Sequence, residues 1–246
     1  MTQLPNALWL SVSPSLRRFD QRLIHQLTRQ AAVRCWEYLQ TEDEPCCLDV
    51  AVTLLHDYLK HCDRPVHLLG HGISGVIGLL YARSHPNRVK SLTLLSVGAN
   101  PAVTWHAHYY GLRQLLPCSR TVILGQMARL MFGPQSSGVT TALVNALEQE
   151  LDRGFAPHSL VYQTAIAPGG IEAPLLICQG AHDVIVDANQ QGQWQHWLKP
   201  SDCLWQCPES KHFFHYDYPQ RVAETISSYW RSSSSAVHSS TCIGLP

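Results

Sequence analysis

The stretch from Pro65 to Gly98 constrains this chain most. It runs through PVHLLG, HGISG, VIGLLYARSH, PNRVK and SLTLLSVG: an apolar run at 65–70, a glycine-punctuated turn, a helical segment and a second apolar run at 91–98. Apolar runs of this length without polar alternation are strands buried on both faces, and two of them joined by a helix make a βαβ unit. Right-handed crossovers set such strands parallel. The fold class expected is therefore α/β, a mostly parallel central sheet with helices on both faces.

The pattern extends in both directions. ALWLSV at 7–12 predicts a strand that ends in Ser13-Pro14-Ser15. Arg17 to Gln30 predicts an amphipathic helix, and Ala31 to Leu39 a second strand. Leu48 to Cys62 predicts a helix with Leu48, Val52, Leu55 and Leu59 on one face, ended by Pro65. From about 99 to 170 the strand signal gives way to helical patterns at Ser119 to Phe132 and Thr140 to Leu151, which implies a helical cap insertion. APLLICQG at 173–180 returns to the sheet, CLWQCP at 203–208 is the last strand, and Pro219 to Trp230 is a closing helix. The Ser-rich tail has the composition of disorder. The expected division is 1–98 for the first part of the core sheet, 99–170 for the cap, 171–231 for the second part of the sheet and 232–246 for a disordered tail.

Composition excludes several roles. With 18 basic and 18 acidic side chains in 246 residues, nothing draws the chain to nucleic acid or to an anionic membrane surface. The longest nearly apolar stretch, Gly72 to Ala82, is too short to span a bilayer, and MTQLPNALWLSV lacks the charged start and long apolar run of a signal peptide. A cytoplasmic location and a small-molecule substrate or ligand are the expectations; nothing sets an oligomeric state. The nine cysteines, an odd number, fall in apparent strands and helices, as Cys35, Cys178, Cys203 and Cys207 do, which fits free thiols in a reducing compartment. Cys46-Cys47 forms no C-x-x-C and has no expected role.

The segment from Val66 to Gly98 resembles the nucleophile-elbow region of the α/β-hydrolase superfamily, in the AB hydrolase-1 type whose elbow usually reads Gly-His-Ser-x-Gly-Gly. The likeness resumes at PLLICQGAHDVIVD and at ESKHFFHYDYPQRVAETISSYW. Laid on that pattern, Gly70 and His71 match, Gly72 takes the serine position, Ile73 is the variable residue, Ser74 stands for the first trailing glycine and Gly75 matches the second. The resemblance makes Asp183 the acid and His212 the base, in the chain order this fold requires.

An elbow holds its nucleophile in a strained turn beside a helix N-terminus. Glycine suits that backbone better than serine does, but it brings no oxygen to attack a carbonyl. Ser74 is a possible substitute nucleophile if the turn shifts by two residues; otherwise it is a first-turn helix residue satisfying a backbone group. The oxyanion donors implied are the backbone N–H of Ile73 and that of Val12 in the loop after the first strand, where Pro14 has none to give. His71, Trp105, Tyr109 and Tyr110 are candidate binding residues, with Trp194 a further aromatic for a pocket under the cap.

No cofactor and no metal are expected. His71, His106, His108 and His215 are tempting ligands, but His106 and His108 alternate as on an extended or loop segment, with no Cys or carboxylate at a recognised spacing. Asp183 and His212 fit either a retained structural pair or a general base acting on water or directly on substrate. Three functions follow: an ester or acyl hydrolase acting on a small hydrophobic substrate, a non-catalytic relative that binds a ligand or protein, and serine-independent lyase or oxygenase chemistry.

Overall fold

The apolar runs become six strands, all parallel, in the order β2-β1-β3-β4-β5-β6. They are β1 Ala7–Ser11, β2 Val33–Glu37, β3 Val66–His71, β4 Val89–Leu95, β5 Leu175–Gly180 and β6 Cys203–Cys207. A computed structural model describes residues 6–41, 43–44, 46–159, 161 and 164–239.

Side chains two apart along a strand share a face, and each face has its own core. Leu8, Leu10, Leu68, Leu92, Leu94, Leu175 and Ile177 pack with α2 Leu48–Leu59 and α3 Ile73–Ser84. Ala7, Trp9, Leu69, Leu95, Leu176 and Cys178 pack with α1 Gln21–Thr28 and α9 Pro219–Ser239 on the other face. The two edge strands, β2 and β6, are half exposed, as strands with one free side should be. Each leucine removed fully from water contributes about 1.5–3 kcal/mol.

The cap forms between β4 and β5. It holds α4 Trp105–Leu115, α5 Arg120–Phe132 and α6 Ser137–Arg153, whose apolar faces enclose Leu124, Met127, Met131 and Leu147. Leu16 and Phe19 from the loop after β1 join this third cluster, so the cap is anchored on the loop beside the sheet. Two short helices, α7 Ala188–Gln193 and α8 Phe214–Asp217, complete the chain.

Four details depart from the sequence reading. The helix expected over 17–30 divides into a 3-10 turn, Arg17–Phe19, and α1, with Asp20 at the break. His106 and His108 lie on α4 and not on an extended segment. Aromatic residues form helices weakly, but the Thr104 hydroxyl caps this one by accepting from the Ala107 N–H at 3.3 Å. Trp194 is fully buried in the sheet core, its indole donating to the Val97 carbonyl at 2.9 Å, and does not line a pocket under the cap. Finally, α9 runs through Ser239, so 232–239 is helical where disorder was expected. Extending a formed helix costs far less than starting one, and the Ser232 and Ser233 hydroxyls bond back to the Tyr229 carbonyl. The rest of the expected tail, 240–246, lies outside the described residues.

The eight cysteines among the described residues carry free thiols. Among the same residues no helix is long and apolar enough to cross a membrane.

Candidate active site

Strand order reverses between β1 and β3, and in an open α/β sheet the crevice beyond the carboxyl ends of strands at such a reversal is where ligands bind. The loops that leave β1, β3, β5 and β6 there carry Val12, Gly72, Asp183 and His212.

Gly72 is the hinge between β3 and α3, with φ +52° and ψ −126°. That conformation belongs to the first central residue of a type II′ turn, where a Cβ is strained and glycine is not. The turn is tight because strand and helix nearly touch. A Cβ on Gly70 would stand 2.6 Å from the Gly75 nitrogen, and one on Gly75 would stand 2.8 Å from the Gly70 carbonyl oxygen. A Cβ on Gly72 would meet nothing within 4 Å.

Asp183 and His212 meet with both side chains buried. His212 Nδ1 lies 2.8 Å from Asp183 Oδ2, while Asp183 Oδ1 accepts the Ile185 and Val186 N–H groups at 2.9 and 3.1 Å. The His212 carbonyl accepts from the Ser96 hydroxyl and pairs with His71 Nε2 at 3.1 Å, which fixes the loop. With Nδ1 donating to the carboxylate, a neutral His212 ring carries its lone pair on Nε2. That atom is buried and has no hydrogen-bond partner among the described residues.

Ser74 is in the first turn of α3, and its hydroxyl accepts the Val12 N–H at 3.0 Å. One of the two backbone donors expected at an oxyanion site is therefore occupied by a side chain of the same chain. Ile73, the first residue of α3, has no intrahelical acceptor for its N–H and lines the cleft. The cleft is small and is walled by Ser13, Leu16, Asp20, His71, Trp105 and Phe213 over Gly72, Ile73 and Ser74. Of the binding candidates, His71 and Trp105 line it. Tyr109 and Tyr110 instead pack on each other within the cap cluster, ring centroids 5.2 Å apart.

Burial holds the His71 imidazole well below its ordinary pKa, with the neighbouring His215 and His212 acting in the same direction. His106 is pushed down to about 3, by burial first and then by His158 and His212.

Two arrangements had no local signal in the sequence. Asp20 accepts from Trp9 Nε1 at 3.2 Å and pairs with His215 Nε2 at 2.9 Å, a contact between residues 195 positions apart. Glu150 in the cap is fully buried and accepts the Ser15 N–H at 3.1 Å, tying α6 to the loop after β1. Burial raises the Glu150 carboxyl from 4.5 to about 7, against the hydrogen bonds of Ser13 and Ser15. The folded chain keeps a proton there that the unfolded chain releases above pH 4.5. The associated stability is complete below that pH and is lost as pH rises through 7. Glu150→Gln is expected to match the parent near pH 4.5 and to exceed it at pH 8.5 by up to about 3 kcal/mol in urea denaturation. Equal stabilities at both pH values would show that Glu150 ionises freely in the folded protein.

A tight strand-to-helix turn at Gly72, an acid after β5 and a histidine after β6, arranged at a capped parallel sheet, define the α/β-hydrolase class. The sequence matches the model of the alpha/beta hydrolase family over residues 9–225, and the chain belongs to that family. It is 46% identical over 225 residues to an uncharacterised protein of Synechocystis sp., covering 92% of this chain and 90% of the relative. An uncharacterised protein of Nostoc sp. is 42% identical over 226 residues, with the same coverage of 92% and 90%. Among solved structures, a meta-cleavage product hydrolase from Pseudomonas fluorescens superposes with a TM-score of 0.70 at 12% identity, over 94% of this chain and 92% of that one. A proline iminopeptidase from Mycobacterium smegmatis gives 0.64 at 14%, over 94% and 90%. At these identities the two structures speak for the fold alone.

Proposed function

We propose that this chain is an ester or acyl hydrolase of the α/β-hydrolase family that acts on a small hydrophobic substrate without a serine nucleophile, Gly72 standing where that serine would be. The observation that carries the reading is the buried, unpartnered Nε2 of His212, oriented by Asp183 as a general base needs to be. With no side chain at Gly72, the base acts on a water molecule, and that water attacks the substrate carbonyl. Ile73 supplies the remaining backbone donor for the developing oxyanion. Leu16, Trp105 and Phe213 favour an apolar substituent in the cleft.

The test is hydrolysis of short and medium acyl nitrophenyl esters. Slow turnover is expected, with no burst and no labelling by a fluorophosphonate, since there is no acyl-enzyme to accumulate. His212→Ala is expected to cut the rate at least about tenfold. Labelling that Ser74→Ala abolishes would instead make Ser74 the nucleophile.

A second reading, a non-catalytic relative that keeps the cleft for a ligand or protein partner, is favoured by one observation. The Ser74 hydroxyl sits on the Val12 N–H, and an oxyanion site short of a donor loses a large part of its effect. A parent protein and His212→Ala variant with equally negligible turnover would favour this reading.

A further inference from the structure

Beside the Asp183–His212 pair lies a second cluster that the proposed hydrolysis does not use. Asp20 comes from the break before α1, His71 from the end of β3 and His215 from α8. One ligand atom from each lies within 4.8 Å of the other two. Among the described residues no other group of three or more His, Cys, Asp or Glu side chains is so placed. His215 is fully buried and Asp20 is 9% exposed. The geometry points to a binding site for one divalent transition ion of the zinc class, held by the two imidazoles and the carboxylate.

The surroundings of His71 and Asp20 fit that role, while His215 Nδ1 is buried without a hydrogen-bond partner among the described residues. A metal-bound imidazole almost always donates its other ring N–H to a carbonyl or carboxylate, which sets the ring and its tautomer. His71 Nε2 is 3.1 Å from the His212 carbonyl, which leaves Nδ1 with the free lone pair. Burial keeps that ring neutral, the form that binds a metal. Asp20 is oriented through Oδ2 by the Trp9 indole, while Oδ1 lies 2.9 Å from His215 Nε2. The His215 Nε2 proton holds those two atoms together; as an ion takes its place, that proton moves to His215 Nδ1 and the ring stays neutral. The trio's widest spacing exceeds the roughly 3.4 Å between ligands of a tetrahedral zinc. The three ligands therefore draw together by up to about 1.4 Å as the ion binds.

Access fits as well. Asp20 and His71 both line the cleft over Gly72, so the ion's remaining position faces the space left by the missing side chain. Three protein ligands with one open position is the arrangement of catalytic zinc, and two histidines with one carboxylate is a donor set known for zinc and non-haem iron. A bound ion would hold a water molecule beside the elbow. The members of this trio are 51 to 195 positions apart in sequence, so no local ligand spacing marks it.

The site is tested by binding alone, so its failure and that of the hydrolase reading are separable. Metal-free protein is titrated with Zn2+ by calorimetry and with Co2+ by visible absorption. The expected result is one ion per chain, bound at micromolar strength or tighter, and cobalt bands without a thiolate charge-transfer band. His71→Ala and His215→Gln are each expected to weaken binding about 100-fold or more. His215→Gln retains an N–H for Asp20, which guards the fold, and His25→Ala on the surface leaves binding unchanged. No binding tighter than millimolar, binding that survives both variants, or a thiolate band would overturn the site, leaving Asp20 and His215 as a structural hydrogen-bonded pair.

Discussion

Gly72→Ser combined with Ser74→Gly is expected to hydrolyse nitrophenyl butyrate about 100-fold faster than Gly72→Ser alone, the size of effect that one oxyanion donor exerts. The single change places a hydroxyl at a turn whose backbone has φ +52° and where a new Cβ meets nothing within 4 Å. Asp183 and His212 are already paired to activate it. It leaves the Ser74 hydroxyl on the Val12 N–H at 3.0 Å, so a tetrahedral intermediate finds Ile73 and no second backbone donor. Ser74→Gly frees Val12 at the cost of about 1 kcal/mol of helix propensity. Ser74→Gly without the new serine should gain no burst, so the two changes are coupled rather than additive. Equal rates for single and double variants would show that Ser74 does not limit the site. A lack of burst in both would show that Gly72 is not a nucleophile position.

That coupling marks the boundary of what was legible. Strands such as ALWL at 7–10 announce themselves: Leu8 and Leu10 face one core, Trp9 the other, and burial on both faces is written as an unbroken apolar run. Asp183 and His212 were singled out by the resemblance of their segments to the family pattern, and the fold brings the two side chains to 2.8 Å. The contact from Ser74 to Val12 spans 62 positions, and that from His215 to Asp20 spans 195. Neither leaves a local pattern, since both arise only when the sheet brings strand ends together. The cap helix α4 was missed for a different reason. Its sequence, Trp-His-Ala-His-Tyr-Tyr, forms helix weakly on its own, and it is held by the Thr104 cap and by burial of Trp105, His106 and Tyr109. Residues 232–239 of the expected tail departed in the opposite direction, because composition describes a segment in isolation and these residues continue a helix already formed.

Asp183→Ala is expected to lower the stability of the fold by about 3–5 kcal/mol, since each buried donor left without an acceptor costs about 1–3 kcal/mol. Three donors converge on this carboxylate: His212 Nδ1 and the N–H groups of Ile185 and Val186. Alanine leaves all three buried without an acceptor. Asp183→Asn separates this structural share from the chemical one. Its carbonyl can accept the two backbone N–H groups, and its NH2 turns to His212, whose Nδ1 must then accept, so the proton moves to Nε2. Most of the stability survives and the base does not, because the atom that should take a proton from water already holds one. Urea denaturation beside ester hydrolysis reads both effects. Asp183→Asn is expected to be within about 1–2 kcal/mol of the parent and as inactive as His212→Ala. If Asp183→Asn keeps parental turnover, the pair is structural alone, and the cleft serves a ligand rather than a reaction.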